Sequence, residues 1–137
     1  MKGKSTPVVQ DMAVVRSQDI VQLLDHLIVN NTTPRQSEAV DCAAFRRFLL
    51  YLGIDSTSTP TDVRIEVQFL DRWTGAWHTY KQGPFASMYF EDQDTASGVY
   101  ECFEGECMGR ALRLKVTGSG TSGSAYFDIS AAVEFRN

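Results

Sequence analysis

The chain has 137 residues, 43% of them hydrophobic and 22% charged, which is typical of one soluble globular domain. Its net charge of -4 argues against a nucleic-acid partner, because neutralising phosphates requires clustered Lys and Arg. Apolar runs fall short of the ~20 residues of a membrane-spanning helix, so we expect no membrane partner. The N-terminus lacks the hydrophobic region of a signal peptide, which predicts synthesis in the cytoplasm.

Residues 1–16 are predicted to form an extended arm ahead of a folded domain at residues 17–137. The apolar residues of the arm are scattered, and nothing in the pattern fixes where they pack. We therefore expect the arm to become ordered on a neighbouring protein. Its candidate contact residues are Val8, Val9, Met12, Val14 and Val15.

The segment Ser17–Val29 fits two patterns. Its large aliphatic residues have helical spacing, and Ser17 could cap such a helix. The run Leu24–Asn30 is instead rich in strand-forming residues and ends at a turn-forming stretch. We predict a strand for the second half, with a short helix before it as the alternative.

Phe45–Leu52 carries apolar side chains on both faces. A strand of this kind lies centrally in a sheet, covered on both sides, or against a partner subunit. Phe48 and Leu50 are therefore candidate interface residues, and a homo-oligomer is expected.

Val63–Phe69 alternates apolar and polar residues and is predicted to be a half-buried strand. A turn at Asp71–Gly75 leads to a partner strand at Ala76–Tyr80, and a further aromatic strand is predicted at Phe85–Phe90. Aromatic residues are crowded here. Core packing is the preferred explanation, followed by a protein interface and then by a sugar-binding platform. The candidate contact residues are Trp73, Trp77, Tyr80 and Phe85.

No segment predicts catalysis or a resident cofactor. The acidic loop Glu91–Gly98 departs from the calcium-loop pattern, so we interpret it as a solvated loop. Three cysteines make an odd set: Cys102 and Cys107 could pair across a turn, but free thiols are the preferred interpretation, and zinc is disfavoured. Nucleophile, phosphate-loop, metalloprotease and dinucleotide motifs are missing, so we expect no enzymatic activity.

Gly109–Arg136 shows the clearest pattern in the chain. Two runs alternate apolar and polar residues on either side of the Gly/Ser/Thr-rich stretch Gly118–Gly123, and this pattern predicts a β-hairpin. Together with the other segments it predicts an all-β fold: a single antiparallel β-sandwich, jelly-roll-like, of about seven or eight strands.

The order of strands and turns resembles that of small β-sandwich virion proteins of tailed bacteriophages. These include capsid decoration (cement) proteins and head–tail accessory proteins. The resemblance rests on the closing strand and on four runs: Val21–His26, Glu38–Phe45, Arg64–Tyr80 and Gly109–Val116.

This resemblance implies a non-enzymatic protein of the virion that binds and stabilises the assembled head. Its partners would be the major capsid protein or other virion proteins, and it would act without a cofactor. A protein that binds only the assembled shell stabilises it by mass action, by roughly 2.7 kcal/mol per site at a hundredfold excess over Kd. A tail or connector subunit and a carbohydrate-binding module using Trp73, Trp77 or Tyr80 are the alternatives.

Overall fold

A computed structural model describes residues 19–137, which form ten β-strands, one short α-helix and one 3-10 helix. The candidate arm at residues 1–16 lies outside the described residues. The strands are β1 (Ile20–Val29), β2 (Arg35–Gln36), β3 (Val40–Asp41), β4 (Arg47–Thr57), β5 (Asp62–Leu70), β6 (Trp77–Thr79), β7 (Tyr89–Glu91), β8 (Val99–Glu106), β9 (Ala111–Ser119) and β10 (Tyr126–Arg136). The 3-10 helix spans Gly83–Ser87, and the α-helix, α1, spans Asp92–Thr95.

Two antiparallel sheets pack face to face, which confirms the predicted all-β sandwich. The four-stranded sheet has the order β1-β10-β4-β8. The six-stranded sheet has the order β2-β9-β5-β6, with β3 also paired to β9 and β7 also paired to β5. The chain changes sheet at most of its connections, as in a jelly roll. The strand count exceeds the predicted seven or eight because four strands have only two or three residues.

The core lies between the sheets and is filled by alternate residues of the long strands. In β4, Phe48, Leu50, Leu52 and Ile54 are buried, and the residues between them face outward. Phe48 contacts the rings of Phe69, Tyr80 and Phe85 at centroid distances of 5.3 to 5.9 Å. Of the two predicted alternatives, β4 takes the central position, between β10 and β8. Phe48 and Leu50 are fully buried between the sheets, so their selection as interface candidates is wrong.

The predicted closing hairpin is also wrong. β9 pairs with β5 in the six-stranded sheet, and β10 lies between β1 and β4 in the four-stranded sheet. The connection 120–125 crosses the about 10 Å that separate packed sheets. The alternating pattern correctly predicts which side chains are buried. It does not predict the pairing of the strands, because the apolar face of a strand is buried against the facing sheet whichever strands lie beside it.

Three further segments differ from their predictions. Ile20–Val29 is one strand throughout, interrupted by bulges, and the proposed helix cap at Ser17 lies outside the described residues. The predicted strand Phe85–Phe90 is a 3-10 helix followed by β7, because Pro84 fixes a helical φ at its start. In the predicted solvated loop after Glu91, a capping box between Glu91 and Asp94 folds the acidic residues into α1. Neither helix of the described chain has the length and apolar character to cross a membrane.

Candidate functional site

The crowded aromatic residues divide between the core and the surface. Phe85 is buried in the core, and Tyr80 is buried between Phe48, Phe69 and Phe85. The Tyr80 hydroxyl accepts a hydrogen bond from the backbone N–H of Glu106 at 3.2 Å, which satisfies its polar end. Trp73 and Trp77 remain at the surface, so the prediction that Tyr80 and Phe85 make surface contacts is wrong.

Trp77 lies on the outer face of the six-stranded sheet with one ring face covered. The guanidinium carbon of Arg113 stands 4.2 Å from the ring centroid of Trp77, a cation–π geometry. Arg113 is fixed there by donating from Nε to Gln68 Oε1 at 2.9 Å. Trp77 therefore packs mainly within its own sheet face.

Trp73 is almost completely exposed, at 94%, on the turn between β5 and β6. Asp71 organises this turn: its carboxylate accepts from the backbone N–H of Trp73 at 2.8 Å and from both the backbone N–H and the hydroxyl of Thr74. His78 Nε2 lies 2.6 Å from Asp71 Oδ2, the oxygen that also accepts from the Thr74 hydroxyl. The exposed indole is thus mounted on a fixed backbone, which reduces the entropy lost when it binds a partner.

The hydrogen bonds to Asp71 lower the pKa of its carboxyl group well below the usual range. The Thr74 side chain makes the largest contribution, followed by His78 and the Thr74 backbone. The carboxylate therefore stays ionised to a lower pH than an ordinary aspartate does.

Replacing Asp71 by asparagine is expected to lower the free energy of unfolding more at pH 7 than at pH 3. A carboxyl group with a depressed pKa stabilises the folded state above the usual carboxyl pKa of about 4, and this contribution is lost as the pH falls. Urea unfolding of both proteins at the two pH values measures the difference. An equal difference at pH 7 and pH 3 would contradict this account, and Asp25→Asn is the control for an exposed carboxylate elsewhere on the surface.

Three arginines lie on segments around the Trp73 turn, where the acidic residues are Asp71 of the turn and Asp41. Arg72 donates to the backbone carbonyl of Ala43 at 3.3 Å, and Arg110 donates its backbone N–H to Leu70, the residue before the turn. Arg46 lies on the loop into β4, where its carbonyl accepts from Cys107. Met108, which is also exposed, lines a depression with Asp71 and His78. We call this end of the sandwich, with Arg46, Arg72, Trp73, Met108 and Arg110, the Trp73 end.

A second feature, absent from the sequence-based expectations, is an open groove of about 590 Å³ on the outer face of the four-stranded sheet. Its floor exists because the outward residues in the middle of this sheet are small. Ala132 pairs with Tyr51, and Ser130 pairs with Gly53. Small side chains leave a depression, and larger ones on the outer strands border it.

Tyr100 forms one wall of the groove and lies over Gly53, its partner in the neighbouring strand. A Cβ atom added to Gly53 would meet the Tyr100 ring at 3.2 Å, so the ring rests against the glycine backbone. The hydroxyl donates to the Asp55 carboxylate, with oxygen distances of 2.8 and 3.0 Å, and this bond raises the pKa of Tyr100. Tyr100 is 71% exposed, and its ring presents an open aromatic surface to the groove.

His26 forms the opposite wall and is placed there by a β-bulge. The register of β1 against β10 shifts between Leu24 and Leu27, and His26 has a φ of 49° in the left-handed region. Its backbone N–H donates to Ser130 Oγ at 3.0 Å, and Nδ1 lies 3.0 Å from an Asp128 carboxylate oxygen. Bulges of this kind redirect a side chain, here toward the groove.

The cysteines do not assemble a metal site. Buried Cys42 lies beside Cys107, whose hydrogen bond, together with burial, raises the pKa of the Cys42 thiol. Cys102 is on the outer face of β8, in the groove, and His78 is at the Trp73 turn. All three thiols are free, so the disulfide alternative between Cys102 and Cys107 is not formed. Within residues 19–137, no group of three or more His, Cys, Asp or Glu could hold a metal ion.

No protein-family model and no curated protein matches the chain. Among solved structures, it is similar to the xylan-binding CBM22-1 domain of Paenibacillus barcinonensis Xyn10C. The TM-score is 0.44 at 12% identity over 89% of this chain and 97% of that domain. It is also similar to the CBM22-1–GH10 modules of Clostridium thermocellum xylanase 10B complexed with xylohexaose, with a TM-score of 0.44 at 8% identity, covering 86% of this chain and 26% of that one.

A third similarity is to the VP2 protein of infectious bursal disease virus in T=1 particles. The TM-score is 0.33 at 9% identity over 90% of this chain and 42% of VP2. The chain therefore spans less than half the length of the xylanase and VP2 chains. Similarity of this degree assigns no ligand or partner to the chain.

Proposed function

We propose that this is a non-enzymatic docking protein of a virion, a decoration protein that binds the assembled head of a tailed bacteriophage through its Trp73 end. The observation that carries the proposal is the exposed Trp73 indole on a turn fixed by Asp71. Trp and Arg are the residues most enriched among those that dominate binding energy at protein interfaces. The resemblance in strand order makes the major capsid protein the proposed partner.

The charge of this end also supports docking on a protein. Arg47 and Arg136 are paired with Glu104 and Glu134, whereas the nearby Arg46 and Arg110 have no carboxylate partner among the described residues. Uncompensated arginine side chains beside an exposed tryptophan suit an acidic protein surface with an apolar cavity. Localisation in the virion and assembly into an oligomer on its surface follow from this proposal.

Changing Trp73 to alanine is expected to weaken binding to purified heads by about 30-fold to 1,000-fold. That range corresponds to the roughly 2–4 kcal/mol lost when a central interface tryptophan is truncated. Co-sedimentation of the purified protein with heads that lack it measures the affinity. The thermal unfolding temperature should not change, because the Trp73 side chain makes few contacts in the free protein.

Tyr89→Ala is the matched control, because it removes a partly exposed aromatic side chain from β7, away from the Trp73 end. We expect it to bind heads as the unchanged protein does. Equal binding of the Trp73 variant would overturn the proposed contact. Binding to isolated tails but not to heads would replace decoration with the tail-subunit alternative.

A further inference from the structure

We propose that the groove on the outer face of the four-stranded sheet is a second binding site, which takes a glycan containing amino sugars. The bound unit would be a pyranose ring with a protonated amine. This site lies apart from the Trp73 end, so the proposal does not depend on docking to a shell.

Tyr100 and the shape of the groove favour a sugar ring. The slightly positive C–H groups on one side of a pyranose pack well on the negative face of an aromatic ring. The Tyr100 side chain is held in place for such a contact, because its ring rests on Gly53 and its hydroxyl is hydrogen-bonded to Asp55. An open volume of about 590 Å³ is within the usual size of ligand sites.

Hydrogen-bonding groups surround this aromatic surface, as a polyhydroxylated ligand requires. Gln22 and His26 line the β1 side, and Ser130 lies on the floor. The backbone of His26 is held in a left-handed conformation that costs a non-glycine residue about 1–2 kcal/mol. A strained position that directs a polar side chain into a groove is a feature of binding sites.

The charge of the groove selects the kind of sugar. Asp55 and Asp128 are directly opposite each other on neighbouring strands, and both face outward into the groove. Like charges in this arrangement repel. The lining contains no Lys or Arg. Uronic, sulfated and phosphorylated glycans are therefore disfavoured.

A protonated amine bound between Asp55 and Asp128 would relieve their repulsion. Of the two carboxylates, His26 contacts only Asp128, and Asp55 accepts a neutral hydrogen bond from Tyr100, so the pair can still bind a cation. The exposed face of Tyr100, whose hydroxyl is bonded to Asp55, would further favour a positive charge. These contacts distinguish an amine from the corresponding N-acetyl group, which is neutral.

The test is calorimetric titration with β-1,4-linked glucosamine hexasaccharide, its fully N-acetylated counterpart and cellohexaose. We expect the amine form to bind at least about tenfold more tightly than the two neutral forms, the size of effect given by one charge–carboxylate contact. Equal binding of all three would overturn the amino-sugar selectivity, and binding of none would overturn the site. Hexalysine is included because binding as tight as that of the amine form would show a site for any cation.

Two variants locate the site. Tyr100→Ala should abolish binding, whereas Tyr100→Phe keeps the ring and should retain most of it. Asp55→Asn should reduce the preference for the amine about tenfold and raise the unfolding temperature, because the repulsion with Asp128 is removed. Trp73→Ala should leave sugar binding unchanged. Unaltered binding by both Tyr100→Ala and Asp55→Asn would place the ligand elsewhere and overturn the proposal.

Discussion

Replacing Phe48 by alanine is expected to lower the free energy of unfolding by about 3–5 kcal/mol, the usual cost of truncating a buried phenylalanine. Phe48 is fully buried and contacts Phe69, Tyr80 and Phe85, which come from the opposite sheet and its connections. Its removal would leave a cavity in the middle of this aromatic cluster. Because small domains have a total stability of about 5–15 kcal/mol, the loss is a large share of it.

Urea unfolding followed by tryptophan fluorescence and by circular dichroism measures this loss. Phe48→Leu is the matched control, since leucine keeps most of the apolar volume and should cost clearly less. A change below about 1 kcal/mol in the alanine variant, within the range of surface substitutions, would contradict the central role of Phe48.

Replacing Gly105 by alanine is expected to destabilise the fold by about 1–3 kcal/mol, the range for overpacking a core. Gly105 is opposite Phe48 in the β4–β8 pairing. A Cβ atom at Gly105 would lie 2.6 Å from Phe48 Cζ and 3.0 Å from Phe85 Cε2. The glycine is therefore required for the space occupied by these two rings and not for an unusual φ.

The matched control is Gly123→Ala in the 120–125 connection, because an added Cβ there meets nothing within 4 Å. It should change the stability by less than about 0.5 kcal/mol, as surface substitutions do. The cost of Gly105→Ala should also fall in a Phe48→Leu background, since the smaller side chain vacates the clashing position. Additive effects in this double-mutant cycle would contradict the proposed steric cause.

The sequence predicts the burial of side chains better than it predicts their neighbours. In Val63–Phe69, the alternating pattern correctly identifies Val63, Ile65, Val67 and Phe69 as the buried set. The same pattern could not show that β9 and β10 belong to different sheets. Strand pairing depends on residues far apart in the chain, and each pairing of similar amphipathic strands satisfies the same local pattern.

The two candidate sites differ in the same way. Trp73 is in a turn signalled by Asp71 and Gly75, so its position at the surface follows from local sequence, and the structure confirms that it is exposed. The groove could not be predicted, because it combines residues of β1, β4, β8 and β10 that are up to 110 positions apart, from Gln22 to Ala132. The one local signal is the pair of small outward residues Ser130 and Ala132, which the alternating pattern assigns only to the polar face of a strand.

The separation of β9 and β10 has a consequence for the biosynthesis of the protein. β9 lies between β2 and β5, and β10 lies between β1 and β4, so residues 111–136 supply an inner strand to each sheet. During translation, β1, β2, β4 and β5 emerge first with their inner edges unpaired. Both sheets close only when these late strands enter, so the sandwich cannot be completed before residues 111–136 have been synthesised, and until then the growing chain depends on protection from edge-to-edge aggregation.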